Sequence, residues 1–262
     1  MRRGNRSNPR VSDKRGNLII TGAAGDIGRE TARLLSEQGF RLFLVDRDEV
    51  GVNLMAADLP NSVPIAADAA HAESMAEVVQ RASIGRLDAM VLAAGTEGPL
   101  GPLEDCSDDA FDEVMALNVR SVWLGLKHCL PTMKRQRGGS IVVLSSISGV
   151  MASPLLAPYA ASKHAVVGLV RTAAREAAAY NVRVNAVCPA PVASEMMRRI
   201  DAGLAKNFPE RLGGASDASK SVPMQRYAAP AEIAQSIAFL CSDASSYCSG
   251  SAFMVDGGIS CR

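Results

Sequence analysis

A tyrosine and a lysine stand four positions apart in the stretch YAASK, as Tyr159 and Lys163. Residues at this spacing lie on one face of a helix, so the ammonium would be held close to the phenol. A neighbouring positive charge favours the phenolate and lowers the pKa of a tyrosine from its usual value of about 10. Ser146, thirteen residues before Tyr159, could hydrogen-bond a substrate oxygen. Together the three side chains predict proton exchange with a bound alcohol or carbonyl near neutral pH.

A glycine-rich turn forms a second candidate site, in the stretch TGAAGDIG between an apolar segment and a helix-like one. Its glycines, Gly22, Gly25 and Gly28, permit a tight strand-to-helix turn and close approach of a dinucleotide pyrophosphate. The N-terminus of the following helix would offer backbone N–H donors and a positive dipole end to that pyrophosphate. The stretch therefore predicts a dinucleotide-binding loop.

Two acidic residues near this loop have separate expected roles. Asp46 lies 18 residues after Gly28, near the spacing at which an acid accepts hydrogen bonds from the adenosine ribose hydroxyls. A helix cap or an ion pair with Arg47 is the alternative role for Asp46. Asp26 stands inside the turn, where its charge would repel a pyrophosphate. We therefore expect Asp26 to cap the helix and to turn away from the phosphates toward Arg29.

Strand-like and helix-like segments alternate along the chain from residue 17 onward. The strand-like segments are almost continuously apolar, which is typical of a parallel sheet buried on both faces. The alternation predicts βαβ crossovers and a single doubly wound α/β domain of the Rossmann type over residues 17–262, with helices on both faces. The stretch 108–136 is predicted to be one long helix. The seven predicted strands are NLIIT, RLFLVD, SVPIAAD, LDAMVLAAG, GSIVVLSS, VRVNAVCP and SAFMVD.

Polar or small residues follow most of these strands, at the edge where ligands bind in such sheets. Asp46 follows the second strand and Asp68 the third, and AAG ends the fourth. Ser146 follows the fifth strand, and PAPVAS follows the sixth. The two candidate sites are therefore expected to lie along one edge of the sheet.

Composition excludes several other classes of protein. Apolar residues make up 48% of the 262 residues and the net charge is +1, so nothing indicates nucleic acid as a partner. No apolar run approaches the roughly 20 residues that a membrane helix needs. The six cysteines are scattered and have no metal-ligand spacing, so we expect no metal site, and thiols reduced in the cytoplasm. Residues 1–16 are basic and predicted to be a disordered arm; a tether to nucleic acid or an anionic surface is the alternative.

At this point the chain resembles the classical short-chain dehydrogenase/reductase family, from residue 17 to about residue 258. The matching motifs are TGAAGDIG, AAG at 93–95, LNV around Asn118, SSISG, YAASK and MVDGG. The resemblance implies a nicotinamide-dependent oxidoreductase with Tyr159 as general acid and base. It implies that Lys163 lowers the pKa of Tyr159 and binds the nicotinamide ribose, that Ser146 orients the substrate oxygen, and that Asn118 holds a water in a proton relay.

The resemblance also implies where the cofactor would lie and that Asp46 selects NAD over NADP. Five positions depart from the family pattern, among them Leu92 and Ala93, which stand in place of two asparagines. Asp26 stands in place of a loop glycine, Ala190 in place of the glycine after Pro189, and Ser194 in place of a threonine that contacts the carboxamide. The predicted cofactor-binding residues are Gly22, Gly25, Asp26, Ile27, Gly28, Asp46, Arg47, Asp68, Ala94, Gly95, Tyr159, Lys163, Pro189, Val192 and Ser194.

The substrate is expected to be a fairly apolar secondary alcohol or its ketone, and the physiological direction is left open. Residues 194–225 are predicted to form a long loop that closes over the substrate as a lid. One alternative is an NADPH-dependent 3-oxoacyl carrier-protein reductase. Asp46 argues against it, because a carboxylate would repel the 2′-phosphate of NADP. The other alternative is a non-catalytic dinucleotide-binding scaffold or sensor, against which the intact Ser146, Tyr159 and Lys163 argue.

The helices around Trp123 and Tyr159 are apolar on nearly every side, which predicts that their outer faces are covered by another subunit. Val122, Leu124 and Leu126 contribute to this pattern in the first helix. In the second helix the contributing small residues are Ala160, Ala161, Ala165, Gly168, Ala173, Ala174, Ala177 and Ala178. Closed symmetry favours a dimer or a tetramer, and the family resemblance favours the homotetramer.

Overall fold

A computed structural model of the protein describes residues 16–208 and 218–261. Of the predicted basic arm at residues 1–16, only Gly16 lies within the described residues, so the disorder of the arm stays a prediction. The strands are β1 (Asn17–Thr21), β2 (Arg41–Asp46), β3 (Ser62–Ala66), β4 (Leu87–Leu92), β5 (Gly139–Leu144), β6 (Val182–Pro189) and β7 (Ala252–Val255). The helices are α1 (Asp26–Glu37), α2 (Glu49–Asp58), α3 (Ala72–Ala82), α4 (Asp108–Met115), α5 (Ser121–Gln136), α6 (Ala157–Ala177), α7 (Glu195–Asn207) and α8 (Pro230–Cys241).

All seven strands pair in parallel in the order β3-β2-β1-β4-β5-β6-β7. The chain therefore moves outward from β1 to β3 and then returns to the other side of β1 to add β4. At this switch point the loops after β1 and β4 diverge and leave a crevice at the carboxyl edge of the sheet. The structure confirms the predicted doubly wound sheet.

Both faces of the sheet are covered by helices, as the apolar strands predict. Residues of α1, α2 and α8 pack on one face with Leu18 and Ile20 of β1. Residues of α3, α5 and α6 pack on the other face with Ile19 of the same strand. Because successive side chains of a strand point to opposite faces, a strand between two helical layers must be apolar at nearly every position.

The predicted single helix over 108–136 is wrong in its middle. The chain forms α4, then a π-helical turn over Ala116–Arg120, then α5. A π-turn accommodates an extra residue and interrupts the regular hydrogen-bond ladder, frequently at functional sites. Here it contains Asn118, which is completely buried. Hydrophobic periodicity does not reveal such a turn, because the residues on either side are regular helix formers.

The predicted loop over residues 194–225 is also wrong for much of its length. Residues Glu195–Asn207 form helix α7, and Ser194 caps it by accepting a hydrogen bond from the backbone N–H of Met197 at 3.2 Å. A serine at the N-cap satisfies one of the free N–H groups of the first helical turn. The segment is therefore a helix placed beyond the end of β6, and residues 209–217 lie outside the described part of the chain.

The apolar outer faces predicted for α5 and α6 are smaller than expected. Val122, Leu124 and Leu126 belong to the core of this chain, as do Ala173, Ala174 and Ala177. Trp123 remains 44% exposed, and Ala161 and Gly168 are exposed on α6. Beside α6, a groove of about 540 Å³ is lined by Leu103, Cys106, Ser107, Asp108, Phe111, Asp112, Ala157, Pro158 and Ala161. Among the described residues, the apolar surface left for an interface includes this groove along α4 and α6 and the exposed side chain of Trp123 on α5.

None of the helices in the described ranges is long and apolar enough to span a membrane. The six cysteines are free thiols, and three of them, Cys129, Cys188 and Cys241, are buried.

Gly168→Glu tests the predicted assembly. A Cβ atom at Gly168 would meet no atom within 4 Å, so the folded monomer has room for the new side chain. We expect the wild-type chain to have the mass of a dimer or tetramer in light scattering, and Gly168→Glu to reduce that mass by burying a charge in the interface. Leu54→Glu, on the exposed side of α2, is the control and should leave the mass unchanged. A monomeric wild-type protein at micromolar concentration would refute the interface.

Candidate active site

The end of β5 holds α6 in a fixed position and thereby brings the three predicted catalytic side chains together. Ser145 donates its hydroxyl to the carbonyl oxygen of Lys163 at 3.1 Å, and Lys163 donates from Nζ to the carbonyl of Leu144 at 2.9 Å. Gly149 makes this approach possible, because a Cβ atom there would lie 2.5 Å from Ser145 Oγ. Helix α6 begins just before Tyr159, with Pro158 in its first turn, where the missing N–H costs nothing.

Tyr159 and Lys163 lie close together, and Tyr159 is half-buried while Lys163 is buried. Lys163 Nζ is 5.5 Å from the centre of the Tyr159 ring, and the lysine is only 5% exposed. Burial raises the pKa of the Tyr159 phenol to about 12, while a hydrogen bond with Ser146 acts in the opposite direction and the charge of Glu97 adds to the increase. Burial also lowers the pKa of Lys163 to about 8.

The predicted lowering of the Tyr159 pKa is therefore wrong for this arrangement. Removing both groups from water disfavours the phenolate and the ammonium alike, and burial is the largest cause of both pKa shifts. The phenol consequently keeps its proton near neutral pH. In this state Tyr159 can give a proton to a carbonyl oxygen, whereas accepting one from an alcohol requires the phenolate and is favoured as the pH rises.

Asn118 acts as a brace at the base of the site. Its amide nitrogen donates to the carbonyl of Thr96 at 2.9 Å and to Ser162 Oγ at 3.0 Å, and its oxygen accepts from the N–H of Thr96 at 2.8 Å. Asn118 thus fixes the loop after β4 against α6. A Cβ atom on Gly95 would lie 3.2 Å from Asn118 Oδ1 and 3.5 Å from Lys163 Nζ, so this loop passes directly over the lysine. The proposed water relay through Asn118 stays a prediction.

The three glycines of the first loop differ in what the fold requires of them. Gly22 has φ +67°, and a Cβ atom on it would lie 2.6 Å from the backbone nitrogen of Ala94. Gly28 packs so closely that a Cβ atom would overlap the carbonyl oxygen of Gly22. Gly25 differs from both: its φ is −73°, and the nearest atom to a Cβ would be 3.5 Å away. The fold does not need a glycine at 25, and the role of Gly25 in letting a dinucleotide approach the backbone stays a prediction.

Asp46 reaches from the end of β2 to this loop. One carboxylate oxygen accepts from the backbone N–H of Ala24 at 3.0 Å, and the other accepts from the N–H of Asp48 at 3.1 Å. The side chain is therefore fixed at the edge of the crevice, where each oxygen retains a second lone pair for a ribose hydroxyl. Arg47 next to it is exposed, and the predicted alternative of an ion pair between the two does not occur.

Asp26 neither caps α1 nor turns toward Arg29. Gly25 occupies the cap position without a side-chain hydrogen bond, and Arg29 donates instead to the carbonyl of Ala24 at 2.7 Å. The Asp26 carboxylate accepts a hydrogen bond from the backbone N–H of Glu195 at 2.7 Å, although the two residues are 169 positions apart. The acid lies at the N-terminus of α7, where the helix dipole favours a negative charge. Asp26 therefore fastens α7 to the glycine loop.

The other predicted cofactor-binding residues are spread along the same edge of the sheet. Pro189 and Val192 are buried at and after the end of β6, and Val192 forms a bridge with Ala228. Asp68 is exposed and accepts from the N–H of Ala70 at 2.8 Å. Ile27, Ala94, Gly95 and Ser194 are half-buried. No group of three or more metal-binding side chains occurs among the described residues.

An ion pair that the sequence does not reveal also borders the site. Glu97 follows the braced Thr96 and is only 8% exposed. Arg199 of α7 donates to its two carboxylate oxygens, from Nε at 2.6 Å and from Nη2 at 3.0 Å. The only signal in the sequence is an acid two residues after AAG, and nothing there identifies its partner 102 positions later.

Known proteins similar to this chain are reductases and oxidoreductases. A family model described as enoyl-(acyl carrier protein) reductase matches residues 22–260. The curated levodione reductase of Leifsonia aquatica is 34% identical over 257 residues, which cover 92% of each chain.

Two solved structures similar to this chain hold different cofactors. NAD+-bound xylitol dehydrogenase has a TM-score of 0.87 and 30% identity, and the alignment covers 94% of this chain and 100% of that one. ElxO with NADP bound has a TM-score of 0.84 and 26% identity, with 94% and 99% covered. The fold alone therefore does not decide between the two dinucleotides.

Two glycine substitutions separate ligand binding from folding in the first loop. We expect Gly28→Ala to destabilise the protein by about 1–3 kcal/mol, because the new methyl group overlaps a backbone oxygen. We expect Gly25→Val to change stability by no more than about 1 kcal/mol but to abolish NADH binding. Thermal unfolding and NADH fluorescence titration measure the two effects. A Gly25→Val protein that binds NADH like the wild type would contradict the assignment of the loop.

Proposed function

We propose, from the premise that this chain belongs to the short-chain dehydrogenase/reductase family, that it transfers a hydride between NAD(H) and a secondary alcohol or ketone. Its relatives are reductases and oxidoreductases, and the chain is an oxidoreductase acting on CH–OH or C=O groups. The single observation that carries the proposal is the placement of half-buried Tyr159 and buried Lys163 of α6 beside buried Ser146 at the end of β5.

The proposed chemistry uses these side chains to move one proton. When bound, the nicotinamide supplies the hydride for reduction of a carbonyl carbon and accepts it in the reverse reaction. In reduction, Tyr159 gives its phenolic proton to the carbonyl oxygen, which Ser146 orients by a hydrogen bond. Lys163 stabilises the phenolate that is left, because its ammonium is held on the same side of α6. In oxidation the phenolate takes the alcohol proton, and the same steps run backwards.

The protonation state of Tyr159 supports carbonyl reduction at neutral pH. With its pKa raised to about 12, the residue is a phenol and can act as an acid over the whole physiological range. The base form becomes available only as the pH rises, so alcohol oxidation is expected to accelerate with pH.

The residues at the carboxyl edge fit a dinucleotide, and Asp46 supports NAD as the cofactor. Its carboxylate is held next to the glycine loop by Ala24 and Asp48. A carboxylate in this position can accept hydrogen bonds from a ribose diol and would repel a 2′-phosphate. The xylitol dehydrogenase neighbour was solved with NAD+ bound.

A second candidate function is reduction of the keto group of a 3-oxoacyl chain bound to carrier protein. It is favoured by similarity to the 3-oxoacyl carrier-protein reductase of Thermotoga maritima, which is 34% identical over 248 residues. Assays with a 3-oxoacyl thioester and with simple ketones distinguish the two substrate classes.

Tyr159→Phe tests the chemical step. The substitution preserves the ring and removes the proton donor, so turnover should fall by about 10²–10⁴-fold. The affinity for NADH should stay nearly unchanged. Tyr180→Phe is the matched control, because Tyr180 is 40% exposed and stacks with Lys134 away from the site. Unchanged turnover in Tyr159→Phe would remove this residue from the mechanism.

Asp46→Ala tests the choice of cofactor. The wild-type protein should bind NADH more tightly than NADPH, and Asp46→Ala should narrow the difference by removing the repulsion of the 2′-phosphate. Fluorescence titration with both cofactors measures this difference. Asp58→Ala, an exposed acid at the end of α2, should leave it unchanged. Tighter binding of NADPH by the wild type would overturn the NAD assignment.

A further inference from the structure

The ion pair between Glu97 and Arg199 crosses the mouth of the proposed active site. Glu97 follows β4 and Arg199 follows β6, and these two strands lie on either side of β5. The hydrogen bonds between them therefore pass over the end of the strand that carries Ser146. The pair joins two segments on opposite sides of the site.

Both ends of this connection are anchored. On one side, Asn118 clamps Thr96 through its N–H and its C=O, so the residue next to Glu97 cannot move freely. On the other side, α7 is fastened to the glycine loop by Asp26. The contact with Glu97 is bidentate, which is the strong and directional geometry for a guanidinium and a carboxylate. It is a second attachment of α7, on the substrate side of the crevice.

The charge of Glu97 also acts on Tyr159, because its negative charge raises the pKa of this phenol. The other groups that act on or lie beside Tyr159 include Ser146 after β5, Cys188 on β6 and Lys163 on α6. The hydrogen bond to Glu97 raises the pKa of Arg199 and keeps its guanidinium charged. This guanidinium is held directly against the Glu97 carboxylate by the bidentate contact.

We propose that Glu97 and Arg199 are positioning residues that hold helix α7 over the substrate site and balance the charge beside Tyr159. This inference rests on the proposed function, since it describes how that site is closed. It assigns a role to two residues outside the predicted set. The pair acts through α7 and through Tyr159, and the reacting atoms are handled by the residues already described.

The first test compares Glu97→Gln, Arg199→Gln and the control Arg198→Gln. Arg198 is the neighbouring arginine on α7, and it pairs with the exposed Glu195 of the same helix. Reduction of cyclohexanone and 2-octanone by NADH is measured for each protein. Glu97→Gln and Arg199→Gln should each raise KM by about 10-fold to 100-fold, the change that loss of a charge-assisted hydrogen bond produces. Arg198→Gln should behave like the wild type, because exposed pairs contribute little.

The second test measures the pH dependence of cyclohexanol oxidation by NAD. If the pair had a purely structural role, Glu97→Gln and Arg199→Gln would not shift this pH profile in opposite directions. Glu97→Gln removes a negative charge near Tyr159, so the phenolate forms more easily and the rise in rate shifts to lower pH. Arg199→Gln leaves the negative charge of Glu97 uncompensated, so the rise shifts to higher pH. Arg199→Lys keeps the charge and should restore most of the wild-type profile. Shifts in the same direction, or no shift, would overturn the charge-balancing role.

The third test needs neither substrate nor turnover. Hydrogen exchange of the α7 backbone amides should be about 10-fold faster in Glu97→Gln and Arg199→Gln than in the wild type and in Arg198→Gln. Exchange in α1 and α8 reports whether the fold is intact. Unchanged exchange in α7 would overturn the proposal that Glu97 and Arg199 hold this helix in place. If the wild-type protein reduces no ketone but the two variants still exchange faster than it in α7, the proposed function is refuted and the positioning of α7 remains supported.

Discussion

The junction between the end of β5 and the middle of α6 determines the geometry of the whole site. Lys163 donates its buried ammonium to the carbonyl of Leu144, while Ser145 donates to the carbonyl of Lys163. These two bonds run in opposite directions between strand and helix, so α6 can neither slide nor rotate without breaking one of them. Burying a lysine is costly unless its donors are satisfied. The strand end thus stabilises the charge and, through the same contact, fixes Tyr159 one helical turn earlier beside Ser146.

Burial at this junction has opposite effects on the two titrating groups, and their proton chemistry follows from it. The Tyr159 phenol holds its proton more strongly than in water, and Lys163 holds its proton less strongly. Burial strengthens electrostatic interactions, including that of Glu97 with the phenol. The pairing of Glu97 with Arg199 then connects the charge in the site to the position of α7. Closure of the site and acidity of its proton donor are physically linked in this arrangement.

Local sequence patterns predict features that depend on residues close together in the chain. They miss contacts between residues that are far apart in the chain. Apolar strands and the spacing of Tyr159 and Lys163 are encoded within a few positions of the chain. They predict the parallel sheet and the closeness of these two side chains, and the structure has both. The π-turn at Asn118 was missed because it adds one residue to an otherwise regular helical pattern. The contacts of Asp26 and Arg199 link residues 169 and 102 positions apart, which no local pattern specifies. The predicted lowering of the Tyr159 pKa is wrong because the spacing of residues reveals a neighbouring charge but does not reveal burial.

The central claim is that this chain moves a hydride between a nicotinamide and a carbonyl carbon. The most direct measurement supplies NADH carrying deuterium at both C4 positions, together with a panel of ketones, and analyses the products by mass spectrometry. The account predicts an alcohol that carries the deuterium on its carbinol carbon, with no such product from the same panel without protein. Absence of deuterium from every product, in a protein shown to be folded, would contradict the account.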